Sequence, residues 1–254
     1  MDQYSYIPPR KGLVLDRVTK RFKSVVAVNR LSLTVEFREF LAVIGPTGCG
    51  KTTLLRLIAG LEKLDEGHIY VSGECVDDLR PVQRGIRMVF QANALWPHMK
   101  VYDRQSHSNL SFSMRLRKYL PQSIDEKVEV VAHRLGIGEQ LYPRKPDELS
   151  AGQKQMVGIG RAMTIPPKIL LLDEPLSNVD PQHRLTLRRE MRDYHDHMGT
   201  ISIYVSHNLP EAFSLADRVA IMKDGKIVQV DTPAKIRTNP ANEFVKGFLD
   251  CFEL

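Results

Sequence analysis

Short apolar runs along the chain predict the strands of a sheet. Phe40–Ile44 is an unbroken apolar run that ends at Gly45, which is typical of a strand covered on both faces in a parallel sheet. Similar runs predict strands at Arg87–Phe90, Ile169–Leu172 and Ile201–Val205. The polar or glycine residues that follow these runs therefore mark the ends of strands.

Two further segments combine a strand with turn chemistry. His68–Val71 runs into a turn at Ser72-Gly73. The segments Ala220–Met222 and Ile227–Val230 flank Asp224-Gly225, a dipeptide typical of a tight hairpin turn. We therefore predict a β-hairpin near the end of the chain.

Helical periodicity appears after the first buried strand. Apolar residues there fall on one helical face from about Lys51 onward, at Leu54, Leu57, Ile58 and Leu61. Residues from about 92 to 160 are charged, helix-prone and interrupted by prolines, which predicts a helical insertion. Thr232-Pro233 predicts another helix, with threonine as the N-cap and proline at the first helical position.

The alternation of strands and helices predicts an α/β fold with a three-layer core. The 254 residues suit one large domain, because domains contain about 150 residues on average. We predict a single domain with a core at about residues 1–91 and 161–254 and a helical subdomain at about 92–160.

Composition and charge narrow the class of protein. The chain is 43% hydrophobic and 26% charged, which argues against wholesale disorder. The net charge of +6 is spread along the chain and favours a solvated basic surface over a dedicated acidic partner, although it allows both. No apolar run approaches the length of about 18 residues that a bilayer span needs.

The start of the chain and the spacing of its cysteines predict a protein of a reducing compartment. The start of the chain has neither the basic nor the apolar segment of a secretory signal. Three widely spaced cysteines, Cys49, Cys75 and Cys251, do not form a disulfide framework.

A phosphate-binding loop follows the first buried strand. Its pattern GxxxxGK[ST] is occupied by Gly45, Pro46, Thr47, Gly48, Cys49, Gly50, Lys51 and Thr52. The glycines let backbone N–H groups surround phosphate oxygens, and the following helix adds its positive dipole end. We predict that Lys51 neutralises the β- and γ-phosphates and that the Thr52 hydroxyl holds Mg²⁺, while Cys49 fills space as a neutral thiol.

Polar residues follow three other predicted strands, at the edge where parallel sheets bind ligands. Asp173 is predicted to hold Mg²⁺, and Glu174 to polarise the attacking water. His207 is predicted to contact the γ-phosphate and to steady Glu174 or the water. Gln91 is predicted to hold Mg²⁺ or water.

A second helix N-terminus is marked by Ser150, Ala151, Gly152 and Gln153. Ser150 and Gln153 have the spacing of a capping box. Taken alone, so short a motif is by default an ordinary helix cap. Because one nucleotide needs only one phosphate loop, we favour a second interpretation, in which this helix end binds a nucleotide held by another subunit.

With these motifs in this order, the chain resembles the ATP-binding cassette (ABC) ATPases from about residue 12 to 249. The resemblance implies a P-loop NTPase core with an antiparallel β subdomain and a helical subdomain, with ATP and Mg²⁺ as cofactors. It also implies a head-to-tail dimer, formed with a second copy or a paired ABC subunit, that holds two ATP molecules. Nucleotide contacts then extend to Thr53, and Ser150–Gln153 and Asp180 act on the partner's nucleotide. Phe22 matches the family's adenine-stacking aromatic, with a core aromatic as the alternative.

Within the family, the chain is similar to ATPase subunits of solute importers. This similarity rests on Gln91–Met99, on Val101–Asp103 and on the segment from Thr232 to Val245. It implies transmembrane permease subunits as partners, a solute-binding protein as an indirect partner, no nucleic acid, and a peripheral place on the cytoplasmic side of the cell membrane. Alternatives are a regulatory ATP-binding module and a soluble ABC ATPase.

The chain departs from the family pattern at a few positions. Ala151 stands where glycine is usual, Met156 replaces a commonly basic residue, and Arg38 occupies a turn position where glycine is common. We predict that residues 92–103, just after Gln91, lie on the surface that receives a cytoplasmic helix of a transmembrane partner. Residues 104–108 look inserted. They form either an inert loop or an extension that reshapes this docking surface without touching ATP. Importers of this type usually continue beyond the cassette into a β-rich regulatory domain, whereas this sequence ends at Leu254.

Overall fold

The computed structural model describes residues 11–91 and 94–251 of the chain. The strands in chain order are β1 Lys11–Phe22, β2 Val25–Glu36, β3 Phe40–Ile44, β4 Glu66–Val71, β5 Glu74–Cys75, β6 Ile86–Val89, β7 Ile169–Asp173, β8 Ile201–Ser206, β9 Arg218–Lys223 and β10 Lys226–Asp231. The α-helices are α1 Lys51–Ala59, α2 Phe112–Leu116, α3 Pro121–Arg134, α4 Ala151–Met163, α5 Pro181–Met198, α6 Leu209–Leu215, α7 Pro233–Thr238 and α8 Glu243–Asp250. From β7 to β9 strands and helices alternate, as predicted, whereas β1–β3, β4–β6 and α2–α4 are runs of one type.

The chain forms two compact units. Unit 1 contains the described residues up to Arg87, Lys168–Asp173 and the described residues from Gly199 on. Unit 2 contains the described parts of Met88–Pro167 and Glu174–Met198. The domain boundaries proposed from the sequence, with a helical subdomain at about residues 92–160, stay a prediction.

The sheets explain how several strand ends meet. An antiparallel sheet has the order β2-β1-β4-β5, and a six-stranded sheet has the order β10-β9-β3-β8-β7-β6. β3, β7, β8 and β9 are parallel, with Ile44 opposite Ser206 and Asp173 opposite Val205. The carboxyl ends of β3, β7 and β8 therefore lie at one edge, as the apolar runs predict.

The parallel strands form the centre of the core in unit 1. Every residue of β3, β7 and β8 is buried, which is the reason that most of their side chains are apolar. The buried polar exceptions are Asp173 at the end of β7 and Ser202 and Ser206 in β8. On one face, Ile44 and Ile221 pack in a cluster with Leu209 of α6, Ile236 of α7 and Val245 of α8. This packing gives the phosphate loop and the end of β8 a rigid base.

Helix α1 begins as predicted at Lys51 but ends before Leu61. Leu54, Leu57 and Ile58 are buried, whereas Leu61 lies beyond the helix and is 46% exposed. The assignment of Leu61 to the apolar face was therefore wrong. Gly60 has a φ of 75° and terminates the helix in a left-handed cap, so the helical period does not reach Leu61.

Arg84 caps the C-terminal end of α1. Its guanidinium is buried and donates to the carbonyl oxygens of Leu57 at 2.9 Å and Ile58 at 3.0 Å. It also donates to the carbonyls of Leu79 and Asp77. Burial lowers the pKa of Arg84, yet the group stays charged at neutral pH. The helix that follows the phosphate loop is thus fixed by a buried cation.

We expect Arg84→Met to lower the free energy of unfolding by about 1–3 kcal/mol, because it keeps the bulk of the side chain and leaves helix carbonyls without their donor. Arg56→Met is the matched control, since Arg56 is an exposed arginine within α1, the helix that Arg84 caps. Its effect should stay within about 0.5 kcal/mol. Urea unfolding measures both variants, and equal losses would contradict the capping role.

Unit 2 is built from helices and turns. Gly160 lets α4 approach its neighbours closely, because a Cβ there would lie 3.2 Å from Leu110 and 3.3 Å from Leu135 and Val131. The segment 104–108 is held by Asp103, which accepts from the N–H groups of Gln105 and Ser106.

Across residues 11–91 and 94–251, none of the helices combines the length and apolar character of a membrane span.

Candidate functional site

The phosphate loop lies between β3 and α1, and two of its glycines are required by close backbone contacts. A Cβ at Gly45 would lie 2.1 Å from the carbonyl oxygen of Met222. A Cβ at Gly50 would lie 2.1 Å from the carbonyl oxygen of Ala27. Gly48 has a φ of 81° and open space beside it. The backbone can therefore curl as a phosphate cradle requires.

The hairpin turn between β9 and β10 is hydrogen-bonded to the phosphate loop. The N–H of Gly225 donates to the carbonyl of Cys49 at 3.0 Å, and the carbonyl of Gly225 accepts from Asn29 at 2.9 Å. Asp224 and Gly225 both have positive φ, as a tight hairpin turn of the predicted kind demands. The sequence indicated the turn but gave no signal that it braces the phosphate loop.

Lys51 places a cation at the centre of the loop. The residue is buried, and its Nζ donates to the carbonyl oxygens of Gly45 at 2.8 Å and Pro46 at 2.9 Å. The Sγ of Cys49 lies 3.8 Å from the same ammonium. Burial raises the pKa of Cys49, so its thiol is protonated at neutral pH, in line with the predicted neutral role.

Thr52 and Asp173 present two oxygen donors at the same edge. The Thr52 hydroxyl donates to Asp173 Oδ1 at 3.2 Å, and Asp173 is buried. A hydroxyl and a carboxylate are hard ligands, and Mg²⁺ usually takes only one or two protein ligands beside phosphate and water. These two residues therefore fit the predicted Mg²⁺ site.

His207 follows β8 at the edge that carries the phosphate loop. A buried network holds its neighbours in the chain. In this network the Glu211 carboxylate accepts from the Tyr204 hydroxyl at 2.7 Å and from the Ser206 hydroxyl at 3.0 Å. Asn208 caps α6 by accepting from the N–H of Glu211 at 3.0 Å. The turn that presents His207 is thus fixed on both sides. Sequence reasoning missed Glu211, because a lone glutamate is usually a surface residue.

Phe22 lies at the tip of the β1–β2 hairpin rather than in the core. It pairs with Val25 across the hairpin and is 43% exposed. The Nζ of Lys20 lies 5.1 Å from the centre of its ring. An exposed aromatic ring at a hairpin tip is available for stacking on a planar ligand, whereas a core aromatic is not.

In unit 2, Gln91 and Glu174 are in contact. The amide nitrogen of Gln91 donates to Glu174 Oε2 at 3.0 Å. Glu174 has a φ of 46°, in the left-handed region, and its carbonyl accepts from the hydroxyl of Ser177 at 3.0 Å. The chain therefore turns sharply after β7, and a neutral amide orients the Glu174 carboxylate.

The second predicted phosphate-binding helix end is present as an exposed capping box on α4. Ser150 Oγ accepts from the N–H of Gln153 at 3.2 Å, and the Gln153 side chain accepts from the N–H of Ser150 at 2.9 Å. A Cβ at Gly152 would meet only the carbonyl of Asn178, at 3.7 Å. The helix begins at Ala151 without crowding its exposed end.

Asp180 caps helix α5. Its Oδ1 accepts from the N–H groups of Gln182 and His183, and its Oδ2 lies 2.7 Å from His183 Nδ1. The hydrogen bond from the His183 backbone holds the pKa of Asp180 below its usual value. The carboxylate is thus charged and exposed at the start of α5.

The structure brings the predicted residues together in two groups. Unit 1 joins Thr52 with Asp173 and places Lys51 inside the loop. Unit 2 joins Gln91 with Glu174. The roles assigned to all these residues, and to Ser150 and Asp180 in a partner subunit, stay predictions.

Comparison with known proteins supplies independent findings. Residues 28–177 match a family model described as ABC transporter. The chain is 47% identical over 234 residues to the osmoprotective compounds uptake ATP-binding protein of Synechocystis sp., covering 92% of this chain and 63% of that protein. It is 45% identical over 244 residues to the trehalose/maltose import ATP-binding protein of Thermococcus litoralis, covering 94% and 64%.

One solved structure has a fold similar to that of this chain. A dimeric ATP-binding cassette in a post-hydrolysis state, bound to ADP and Pi, superposes with a TM-score of 0.78 at 25% identity. The match covers 87% of this chain and 98% of that one. The chain spans less than two thirds of the length of the curated relatives that it matches, at 63% and 64%.

Proposed function

The chain belongs to the ABC transporter family, and on that premise we propose that it binds and hydrolyses ATP to energise solute import across a membrane. One observation carries this proposal: a phosphate loop with a buried lysine lies at the same sheet edge as a Thr52–Asp173 oxygen pair. The edge therefore offers a cation for phosphates and hard ligands for a divalent metal.

Each predicted residue has a chemical task in the proposal. Lys51 and the loop N–H groups bind the β- and γ-phosphates, and Phe22 stacks on the adenine. Thr52 and Asp173, with Gln91, hold Mg²⁺, which when bound neutralises phosphate charge. These residues position the nucleotide and leave the γ-phosphate open to attack.

The proton-transfer residues complete the proposal. The Glu174 carboxylate accepts a proton from the attacking water as general base. Gln91 orients that carboxylate through its hydrogen bond of 3.0 Å. His207 contacts the γ-phosphate, on the turn that Glu211 and Asn208 fix.

We further propose that two cassettes pair head to tail around two ATP molecules. Ser150–Gln153 then contributes its exposed helix end to the γ-phosphate held by the partner's loop, because free N–H groups at a helix N-terminus favour anions. Asp180 lies beside the same interface. The dimeric, ADP-bound state of the solved cassette supports this arrangement.

The relatives support the importer role. Their names refer to uptake of osmoprotective compounds, import of trehalose and maltose, and import of sn-glycerol-3-phosphate. Since such different solutes accompany similar cassettes, we assign solute choice to permease subunits and, through them, to a solute-binding protein. The chain would then lie peripherally on the cytoplasmic side of the membrane and act without nucleic acid.

A loop in unit 2 is suited to receive a permease. Asn109 is buried, and its amide donates to the carbonyls of Trp96, Met99 and Lys100, which fixes the described part of the loop after Gln91. The Trp96 ring lies 4.7 Å from the Arg161 guanidinium. Ala92 and Asn93, which belong to the docking segment predicted at residues 92–103, lie outside the described residues.

We expect cysteine placed at His98 to crosslink this chain to a polytopic membrane protein. His98 is exposed in the loop that Asn109 holds by hydrogen bonds. The exposed cysteines Cys75 and Cys251 are first replaced by serine, so that they do not crosslink. Arg189→Cys, exposed on α5 in unit 2, is the matched control. Crosslinking is performed in membranes of the source cells, and products are identified by mass spectrometry. Products containing only non-membrane proteins would contradict the proposed docking.

A further inference from the structure

A second cluster of chemically active side chains lies on the antiparallel sheet of unit 1. His68 is in β4, Cys75 is the last residue of β5, and Asp77 follows two residues later. One ligand atom from each residue, the imidazole nitrogen, the thiol sulfur and a carboxylate oxygen, lies within 4.8 Å of the other two. The phosphate loop follows β3 of the other sheet, so this cluster is separate from the proposed ATP chemistry.

The backbone fixes the positions of all three residues. Cys75 pairs with Tyr70 across the β4–β5 ladder, and the N–H of Val76 donates to the carbonyl of Ile69 at 2.9 Å. The Asp77 carboxylate is oriented by the N–H of Ile69, which donates to Oδ1 at 2.8 Å. Its other oxygen, Oδ2, lies 2.8 Å from His68 Nδ1. The cluster is therefore a product of the fold rather than of long side chains meeting by chance.

We propose that His68, Cys75 and Asp77 bind one Zn²⁺ ion, with water as the fourth ligand. In a tetrahedral zinc site the ligand atoms of these types are separated by about 3.3–3.6 Å, as the bond lengths of about 2.0–2.3 Å require. The His68–Asp77 pair opens slightly from 2.8 Å, and the widest pair closes from at most 4.8 Å. Side-chain rotation alone supplies such movements.

The donor set selects the class of metal. A thiolate and an imidazole favour Zn²⁺ and similar transition metals, whereas Mg²⁺ and Ca²⁺ prefer sites made of oxygen atoms. The Ile69 N–H on Asp77 Oδ1 provides the outer hydrogen bond that orients a metal-binding carboxylate. The ion proposed here is thus distinct from the Mg²⁺ that accompanies ATP.

Exposure allows the ion to enter and to keep a water ligand. The His68 side chain is 51% exposed and that of Asp77 is 17% exposed. Cys75 is also exposed. Three protein ligands with an accessible fourth position characterise open zinc sites, in contrast to closed structural sites with four protein ligands. Zinc would link β4 to the segment after β5 and stabilise this edge of the sheet.

Cobalt titration of the purified chain without nucleotide tests the proposal. Co²⁺ replaces Zn²⁺ and reports a thiolate ligand through a charge-transfer absorption band in the near ultraviolet. We expect one equivalent of Co²⁺ to produce this band, and Zn²⁺ to remove it by displacement. Cys75→Ser should abolish the band, and Cys251→Ser, at an exposed cysteine outside the cluster, should leave it unchanged.

The other two ligands are tested by Zn²⁺ affinity. His68→Gln and Asp77→Asn should each weaken binding by at least tenfold, and thermal melting with EDTA verifies that the variants fold. Bound Zn²⁺ should also slow alkylation of Cys75 while leaving that of Cys251 unchanged. A cobalt band that persists in Cys75→Ser would overturn the proposal. So would wild-type Zn²⁺ affinity in both the His68 and Asp77 variants.

Discussion

Glu174→Gln is expected to lower ATP hydrolysis by about 10²–10⁴-fold, the range of general-base assistance, while leaving ATP binding intact. An amide has nearly the shape of the carboxylate and keeps an oxygen that accepts from Gln91, which now donates at 3.0 Å. It does not take a proton from water. The backbone at position 174, with a φ of 46°, faces a similar strain with either residue.

A matched variant controls for the substitution itself. Glu148→Gln makes the same change at an exposed residue that accepts from the N–H of Lys145 in a turn before α4. We expect it to hydrolyse ATP at the wild-type rate. Phosphate release measures activity, and equilibrium binding of ATP measures affinity. If Glu174→Gln hydrolyses ATP at the normal rate, Glu174 is not the base, and the role proposed for Gln91 fails with it.

The same variant probes pairing of the cassettes. Since hydrolysis would separate the dimer, Glu174→Gln should accumulate as an ATP-bound dimer in light scattering. Ser150→Arg should bind ATP as a monomer, because it blocks the exposed end of α4 and leaves the phosphate loop intact. A Glu174→Gln protein that binds ATP but stays monomeric at high concentration would show that permease subunits are needed to join the two halves.

Local chemistry made some elements predictable. The unbroken apolar run Phe40–Ile44 is β3, because a strand buried on both faces favours apolar side chains throughout. Thr232 is the N-cap of α7, with its side chain accepting from the N–H of Lys235. Ser150 and Gln153 form the predicted capping box. In each case a few neighbouring residues determine the geometry.

Other features could not be predicted from the sequence, mainly because they depend on contacts between residues that are far apart in the chain. Arg84, Asn109 and Glu211 are buried, yet arginine, asparagine and glutamate in a sequence usually indicate surface. Each fixes backbone or turn groups through hydrogen bonds that only the fold brings within reach. Helix α5, Pro181–Met198, was not predicted, because most of its residues are polar and its buried face is limited to Leu187, Met191, Tyr194 and His195.

The candidate site shows the same division. The sequence indicated Lys51, Thr52 and Asp173 through a motif and a strand end, and the fold places the last two 3.2 Å apart. The support that Gly225 gives to Cys49 could not be predicted, because the two residues are far apart in the chain. A motif therefore identifies the groups that meet the ligand more readily than the groups that hold the motif in place.

Lys51→Ala is expected to weaken ATP binding by at least about 100-fold, since a charge-assisted hydrogen bond contributes about 1.5–3 kcal/mol and Lys51 is proposed to contact two phosphates. The buried ammonium lies at the centre of the loop, between the carbonyls of Gly45 and Pro46. Alanine removes this charge but keeps the glycines and the helix end. Titration with ATP by calorimetry measures the loss, and dimerisation with ATP should disappear with it.

Folding and binding must be separated for this residue, because Lys51 also donates to loop carbonyls in the protein itself. Lys51→Arg keeps the charge in a larger side chain, and Lys63→Ala removes an exposed lysine from the segment after α1. Lys63→Ala should bind ATP normally, and melting curves for all three variants detect any loss of stability. If Lys51→Ala is folded and binds ATP with wild-type affinity, the loop backbone alone carries the phosphates. In that case, the ammonium serves only to hold the Gly45 and Pro46 carbonyls.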